Sequence, residues 1–258
     1  MKNNFLKILI LVLSIQSCST AHKLSKGTSN NSKATSIESK GVNRNQKGTG
    51  SDSNDTSYDA NDTEKIWGID ISHYQEIVDW NKLKTHEPGF IFVKATEGST
   101  IQDPKYAEYY NSIRKLDIPV GSYHFFSYKS SGKDQAQNFL STVKYQRGDL
   151  PLVLDAEFAK KMPDKQQIKK ELLDFMTVVY GKTGRSPIIY CPYKYYLLYL
   201  KNNLPMECKL WIVDYQGKPD CDWIFWQTTE KYKVGGIKGY VDFNLFYGSK
   251  KKLKSLLY

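Results

Sequence analysis

The sequence has few of the residues from which metal centres and disulfide frameworks are built, with 4 cysteines and 4 histidines in 258 residues. Their spacing matches no zinc-ligand pattern, and no glycine-rich phosphate loop is present. No metal or organic cofactor is therefore implied.

The apolar run near the start, Ile8 to Ile15, is too short to span a membrane as a stable anchor.

Apolar residues are almost absent from residues 22 to 64, which separates a leader from a folded part. Residues 1–17 are predicted to be a signal peptide, because Lys2 and Lys7 precede the apolar run. The closing Ile15-Gln16-Ser17-Cys18 resembles a lipobox, in which Cys18 becomes the lipidated first residue and tethers the protein to a membrane. Cleavage at a nearby small residue, which would give a secreted protein, is the alternative.

Residues 18–64 are rich in Ser, Asn and Lys and predict a disordered linker, followed by one folded domain at 65–258. We therefore expect an exported, monomeric protein of the cell envelope. With Cys18 used, three cysteines remain and cannot all pair. Cys208 and Cys221 could form a bridge in an oxidising compartment.

The charge is strongly positive, +10 for the chain and +8 from residue 65 onward, where 29 Lys and Arg face 21 Asp and Glu. A basic surface favours a polyanion, and nucleic acid, anionic lipid and the acidic cell wall all qualify. The signal peptide argues against nucleic acid.

One stretch, Asp149 to Glu157, carries the clearest chemical signal. Leu150 to Leu154 predict a buried strand, and the two carboxylates at its end, Asp155 and Glu157, share one side because side chains alternate along a strand. Adjacent carboxylates raise the pKa of at least one of them, as a general acid requires. The alternative is that both only cap the next helix.

The order of predicted elements is five strand-helix units and then three strands, which favours an α/β barrel of parallel strands. A doubly wound open sheet is the rival, but it usually has a Gly-rich first turn that this chain lacks. In barrels the active site lies at the carboxyl ends of the strands. Polar residues recur at those ends: Asp70, Glu97, His124, Asp155, Glu157, Asp214, Gln227 and Asp242.

Eight segments, in order and covering about residues 66 to 248, together resemble glycoside hydrolase family 25, the N,O-diacetylmuramidase type of lysozyme. They are Gly68 to Ser72 with Gln75 and Asp79-Trp80, Phe92 to Gly98, Gly121 to Phe125, Pro151 to Glu157, Pro187 to Tyr190, Leu210 to Ile212, Trp226-Gln227 and Gly239 to Asn244.

The resemblance implies a flattened TIM-like barrel, five strand-helix units followed by three further strands, that hydrolyses the β-1,4 bond between N-acetylmuramic acid and N-acetylglucosamine in peptidoglycan. It implies that Glu157 is the general acid and that Asp155 assists the acetamido group of the substrate, with Asp70 and Asp242 completing the acidic site. The sequence leaves open whether the acetamido group of the substrate or a water molecule attacks the sugar. The sugar groove is expected to be lined by Tyr123, Tyr190, Trp211, Trp226 and Gln227.

Two other residues near the strand ends are expected to be structural. His124 is predicted to be a hydrogen-bonded support, and Glu97 is predicted to pair with Lys94 or a neighbour. Two other functions stay open: a non-catalytic peptidoglycan-binding lipoprotein, and a hydrolase of chitin-like N-acetylglucosamine polymers, whose signature also ends in Asp-x-Glu.

Overall fold

Eight strands close into a barrel, with helices packed around part of its outer wall. The computed structural model describes residues 65–77 and 79–258. The predicted signal peptide, Cys18 and the linker up to residue 64 lie outside the described residues and stay predictions. None of the described helices is both long and apolar enough to cross a membrane.

The elements follow the predicted order of five strand-helix units and three further strands, which is confirmed. The strands are β1 (Trp67–Ile71), β2 (Glu76–Ile77), β3 (Phe90–Glu97), β4 (Ile101–Gln102), β5 (Val120–Phe125), β6 (Val153–Asp155), β7 (Ile188–Pro192), β8 (Leu210–Val213), β9 (Phe225–Tyr232), β10 (Ile237–Lys238) and β11 (Val241–Phe246). The helices are α1 (Trp80–Lys84), α2 (Tyr106–Lys115), α3 (Gly132–Thr142), α4 (Lys165–Thr183), α5 (Tyr193–Tyr195), which continues as a π-helical turn (Tyr196–Leu200), and α6 (Lys250–Leu256).

The barrel is mostly parallel and closes through one antiparallel strand. Strands β1, β3, β5, β6, β7, β8 and β9 pair in parallel in that order. Strand β11 lies antiparallel between β9 and β1 and closes the ring. The carboxyl ends of the parallel strands therefore meet at one rim, and the start of β11 reaches the same rim.

The interior of the barrel is filled by aromatic side chains. Phe90, Phe92 and Phe225 are fully buried there, with Trp211 beside them. The ring centroids lie 4.5 Å apart for Phe92 and Trp211 and 4.8 Å apart for Phe90 and Phe225. Burying each such ring contributes roughly 1.5–3 kcal/mol, so this layer fixes the strands beneath the rim.

Helix α4 has its own cap, so Asp155 and Glu157 do not cap it. Asp164 is the N-cap, and its side chain accepts a hydrogen bond of 2.9 Å from the backbone N–H of Gln167. The helix ends at Gly184, whose φ of 71° is the left-handed conformation that glycine adopts without strain. The capping interpretation of the two carboxylates is therefore wrong.

Three sequence predictions differ from the structure in detail. The central strand covers only Val153–Asp155, because the backbone from Leu150 to Leu152 bonds its neighbours without forming a regular ladder. The fifth strand, which the sequence predicts at Ser186 to Tyr190, lies two residues later, at Ile188–Pro192. The bridge between Cys208 and Cys221 is absent, and Cys191 is free as well.

Gly132 marks the close crossing of α3 and α4, and it offers a test of this packing. A Cβ at Gly132 would lie 1.9 Å from the carbonyl oxygen of Glu171, while its N–H donates to the Glu171 carboxylate at 2.7 Å. We expect Gly132→Ala to lower the free energy of unfolding by about 3 kcal/mol, the upper range for overpacking, measured by urea denaturation.

The matched control is Gly181→Ala in α4, where an added Cβ meets nothing within 4 Å. That change should raise the free energy of unfolding by roughly 0.5–1 kcal/mol, because alanine favours the helix. Equal stability of the two variants would contradict the close crossing.

Candidate active site

Four carboxyl groups converge at the rim formed by the carboxyl ends of the parallel strands. Asp70 lies in β1, Asp155 ends β6, Glu157 follows it, and Asp242 lies near the start of β11. Asp70 and Asp242 face each other directly in the β1–β11 register. The barrel thus gathers all four residues that the resemblance had implied.

Asp70 and Asp242 form a hydrogen-bonded carboxyl pair. Burial raises the pKa of Asp70 to about 6, although hydrogen bonds from its neighbours oppose the shift. Burial and then the charge of Asp70 raise the pKa of Asp242 to about 9. Two carboxyl groups in hydrogen-bond contact need one proton between them, so the pair holds a proton at neutral pH.

Glu157 lies within hydrogen-bonding reach of the Tyr190 hydroxyl. Burial, to which the nearby Asp242 carboxyl adds, raises the pKa of Glu157 to about 7. The single proton of the Tyr190 hydroxyl is donated to Gln227 Oε1 at 2.9 Å, and Gln227 Nε2 donates to the Tyr215 hydroxyl at 2.9 Å. Glu157 is therefore a carboxyl group that can be protonated near neutral pH, as a general acid must be.

Asp155 differs from the other three acids in its hydrogen bonding. Its Oδ1 atom is buried and has no hydrogen-bond partner. Burial, and then the charge of Glu157, raise the pKa of Asp155 well above its ordinary value, while the charge of Lys94 opposes them. An unsatisfied buried acceptor is costly, so this oxygen is available to an N–H or O–H group of a ligand.

Lys94 is a nearly buried cation on β3, and its ion pair with Glu97 confirms the predicted contact. The Lys94 Nζ atom lies 2.7 Å from Glu97 Oε2 and 4.9 Å from the centroid of the Phe125 ring. Its positive charge lowers the pKa values of both Asp155 and Glu157, so it partly balances the acidic rim.

Three of the five predicted groove residues lie beside the acids. Tyr123 and Tyr190 are half-buried, and burial followed by the acidic charges raises both of their pKa values. Gln227 is buried and bridges Tyr190 and Tyr215, so it supports the tyrosines.

The two tryptophans differ from the prediction that they line the groove. Trp211 is only 1% exposed inside the barrel, which leaves no ring face for a sugar. Trp226 lies between Phe225 and Gln227, which point inward, so it faces outward by the alternation of the strand. Its ring centroid is 5.7 Å from that of Trp223.

Asn244 and Tyr215 belong to the site but were missed as site residues. Asn244 comes two residues after Asp242 and so shares its face of β11, a spacing that could have identified it. Tyr215 lies beyond the end of β8 and is 49% exposed. Its place in the site depends on Gln227 and left no sequence signal.

His124 is a structural residue, as predicted. It is fully buried, with ring nitrogens 2.7 Å from Thr96 Oγ1 and 3.0 Å from Gln135 Oε1. Burial lowers the pKa of His124 to about 4, so the ring is neutral at physiological pH. Among the described residues, no group of three His, Cys, Asp or Glu side chains is placed to hold a metal ion.

Comparison with known proteins points to one family. The model of the family described as "Glycosyl hydrolases family 25" matches residues 69–237. "Uncharacterized protein YegX" of Escherichia coli K12 is 37% identical over 201 residues, covering 74% of this chain and 73% of that protein. "Lysozyme M1" of Streptomyces globisporus is 30% identical over 208 residues, covering 73% and 70%. The solved structure of a family 25 glycosyl hydrolase from Bacillus anthracis superposes with a TM-score of 0.71 at 33% identity, covering 75% of this chain and 94% of that chain.

The unpaired Asp155 makes a prediction about stability and pH. A carboxyl group whose pKa is higher in the folded state makes folding progressively less favourable as pH rises above its unfolded pKa of about 4. Asp155→Asn removes this cost. We expect a higher melting temperature at pH 8 and little change at pH 4, measured by thermal unfolding.

Asp149→Asn is the matched control, because Asp149 is also buried but fully bonded. Its oxygens accept from Tyr110 at 2.6 Å, from Arg114 at 2.8 Å and from the Gln146 N–H at 3.0 Å. Burial raises the pKa of Asp149 as well, but this variant should melt at a lower temperature at pH 8, because an asparagine cannot accept all three hydrogen bonds and leaves Arg114 without its ion pair. A similar decrease in melting temperature in both variants would show that Asp155 is hydrogen-bonded too.

Proposed function

Because the chain belongs to glycosyl hydrolase family 25, and is therefore a glycoside hydrolase, we propose that it is a muramidase that cleaves the β-1,4 bond between N-acetylmuramic acid and N-acetylglucosamine in peptidoglycan. The observation that carries this proposal is the set of four carboxyl groups at one rim, with different environments. Breaking a glycosidic bond needs a protonated acid and a negative charge near the oxocarbenium-like centre. This rim has a group suited to each task.

We assign the general acid to Glu157, since its pKa of about 7 keeps a large fraction protonated near neutral pH. Its proton passes to the glycosidic oxygen as the bond from that oxygen to the anomeric carbon breaks. Glu157 is then a carboxylate and can take a proton from the water that completes hydrolysis.

Asp155 fits the role of assisting the acetamido group of the substrate. The unpartnered Oδ1 can accept the acetamido N–H, which orients the carbonyl oxygen of that group toward the anomeric carbon. Attack by this oxygen forms a cyclic oxazolinium intermediate while the leaving group departs with the Glu157 proton. Addition of water then opens the ring and restores the acetamido group.

The Asp70–Asp242 pair supplies one negative charge that faces this reaction without being consumed by it. Such a charge stabilises the positive charge that develops at the anomeric carbon. The half-buried rings of Tyr123 and Tyr190 border the same space and are suited to contact the sugar. An exported location, which the N-terminal sequence predicts, would place this site beside peptidoglycan.

Glu157→Gln tests the assignment of the acid. Digestion of purified peptidoglycan by the full chain should give products with reducing muramic acid ends, identified by mass spectrometry. The variant should lose about 10²- to 10⁴-fold of the rate, the usual contribution of a general acid. Glu108→Gln is the control, because Glu108 is an exposed residue of α2 paired with Lys105. Binding to peptidoglycan without products from the unmodified chain would refute hydrolysis, and cleavage of chitin oligomers alone would refute the substrate.

The pH dependence provides a second test. We expect kcat/KM to rise through about pH 6, as Asp70 ionises, and to fall above about pH 7, as Glu157 loses its proton. The measurement is the initial rate of peptidoglycan solubilisation at low substrate between pH 4 and 10. A rate that stays level to pH 9 would rule out Glu157 as the acid.

A further inference from the structure

A chain of buried hydrogen bonds joins the barrel interior to Asp70. The indole N–H of Trp211 donates to Asn244 Oδ1 at 2.7 Å, and Asn244 Nδ2 donates to Asp70 Oδ2 at 2.8 Å. Trp211, Asn244 and Asp70 are 1%, 0% and 6% exposed, so water does not compete for these bonds. The proposed reaction has given no part to Asn244 or Trp211.

The direction of this chain is set by the chemistry of the indole. An indole N–H can only donate, so the Asn244 amide must turn its oxygen toward Trp211. The amide NH₂ group is then left to face Asp70 as a donor. A donor directed at a carboxyl group favours its ionised form.

Asp242 has a different environment from its partner. Its hydrogen bond is to the Asp70 carboxyl, and the negative charge of Glu230 also acts on it. A carboxyl group in this position favours the neutral form, which can donate its proton to Asp70. The two members of the pair are therefore not equivalent, although they face each other in the same ladder.

We propose that Trp211 and Asn244 are positioning residues that fix the shared proton on Asp242 and the negative charge on Asp70. The proposal rests on the proposed function in one respect, which is that the fixed anion at Asp70 is the charge that serves the reaction. It also makes Trp211, expected from the sequence to stack on sugar, a residue that acts through Asn244.

Other ionisable groups face the pair from the surrounding elements, and they are unchanged in the variants below. All but Glu230 interact with both carboxyl groups and so do not by themselves select one of them, whereas Glu230 acts on Asp242 and favours its neutral form. The groups are Tyr123 on β5, Asp155 and Glu157 at the end of β6, Tyr190 on β7, Tyr215 after β8 and Glu230 on β9. Lys94 on β3 acts on Asp155 and Glu157.

The test follows the carboxyl carbons of ¹³C-labelled aspartate by NMR in the full chain between pH 4 and 10, beside the pH profile of kcat/KM. We expect Asp70 to ionise before Asp242. Asn244→Leu should move the first ionisation of the pair about one pH unit higher, and the acidic limb of the profile with it, which is about tenfold in rate on that limb. Trp211→Phe, which keeps an aromatic ring, should move both in the same direction by less.

Phe225→Leu is the control, because Phe225 packs beside Trp211 but makes no hydrogen bond through its side chain, with ring centroids 6.1 Å apart. Phe225→Leu should lower the free energy of unfolding and leave the pH of the first ionisation of the pair unchanged. The proposal is overturned if Asp242 ionises before Asp70, or if Asn244→Leu lowers activity at every pH without moving the first ionisation. If the chain is inactive but Asp70 ionises before Asp242, the proposed function is refuted and this inference is supported. If the chain hydrolyses peptidoglycan but Asp242 ionises before Asp70, the proposed function is supported and this inference is refuted.

Discussion

The removal of water from a group of four carboxyl groups is the constraint on which the rest of this structure depends. An isolated charge in a protein interior is so costly that the group holds a proton instead. The pKa values of Asp70, Asp155, Glu157 and Asp242 are all raised by burial above all other causes. Only a rigid frame can hold such a group together, and the closed ladder with its aromatic interior provides one.

The four acids differ because each has a different neighbour. Asp70 accepts a hydrogen bond from the Asn244 amide, and Glu157 lies within hydrogen-bonding reach of the Tyr190 hydroxyl. Asp155 has a buried oxygen with no hydrogen-bond partner. Groups of the same chemistry then ionise at different pH values, which is how one site can hold an acid and an anion together. Lys94 reduces the cost for two of them, and its own charge is paired with Glu97 at the end of the same strand.

The barrel and its acids could be predicted from the sequence, because both depend on short-range periodicity. Alternating strands and helices indicate parallel strands, and a spacing of two places Asp155 and Glu157 on one side. The same rule shows why the groove prediction was partly wrong. Trp226 and Gln227 are neighbours in a strand and cannot both face inward, and only Gln227 does. Trp211 points inward but lies too deep to meet a ligand.

The sequence by itself determined the order of the elements, the strand ends at which the acids lie and the family to which the motifs belong. These properties follow from patterns within a few residues of one another. The tertiary structure alone decided the environment of each acid. Asp70 is bonded to an amide 174 positions away, and that amide is held by an indole 33 positions from it. Only closure of the barrel brings β1, β8 and β11 close enough for these bonds, and no local pattern records contacts between residues so distant in the chain.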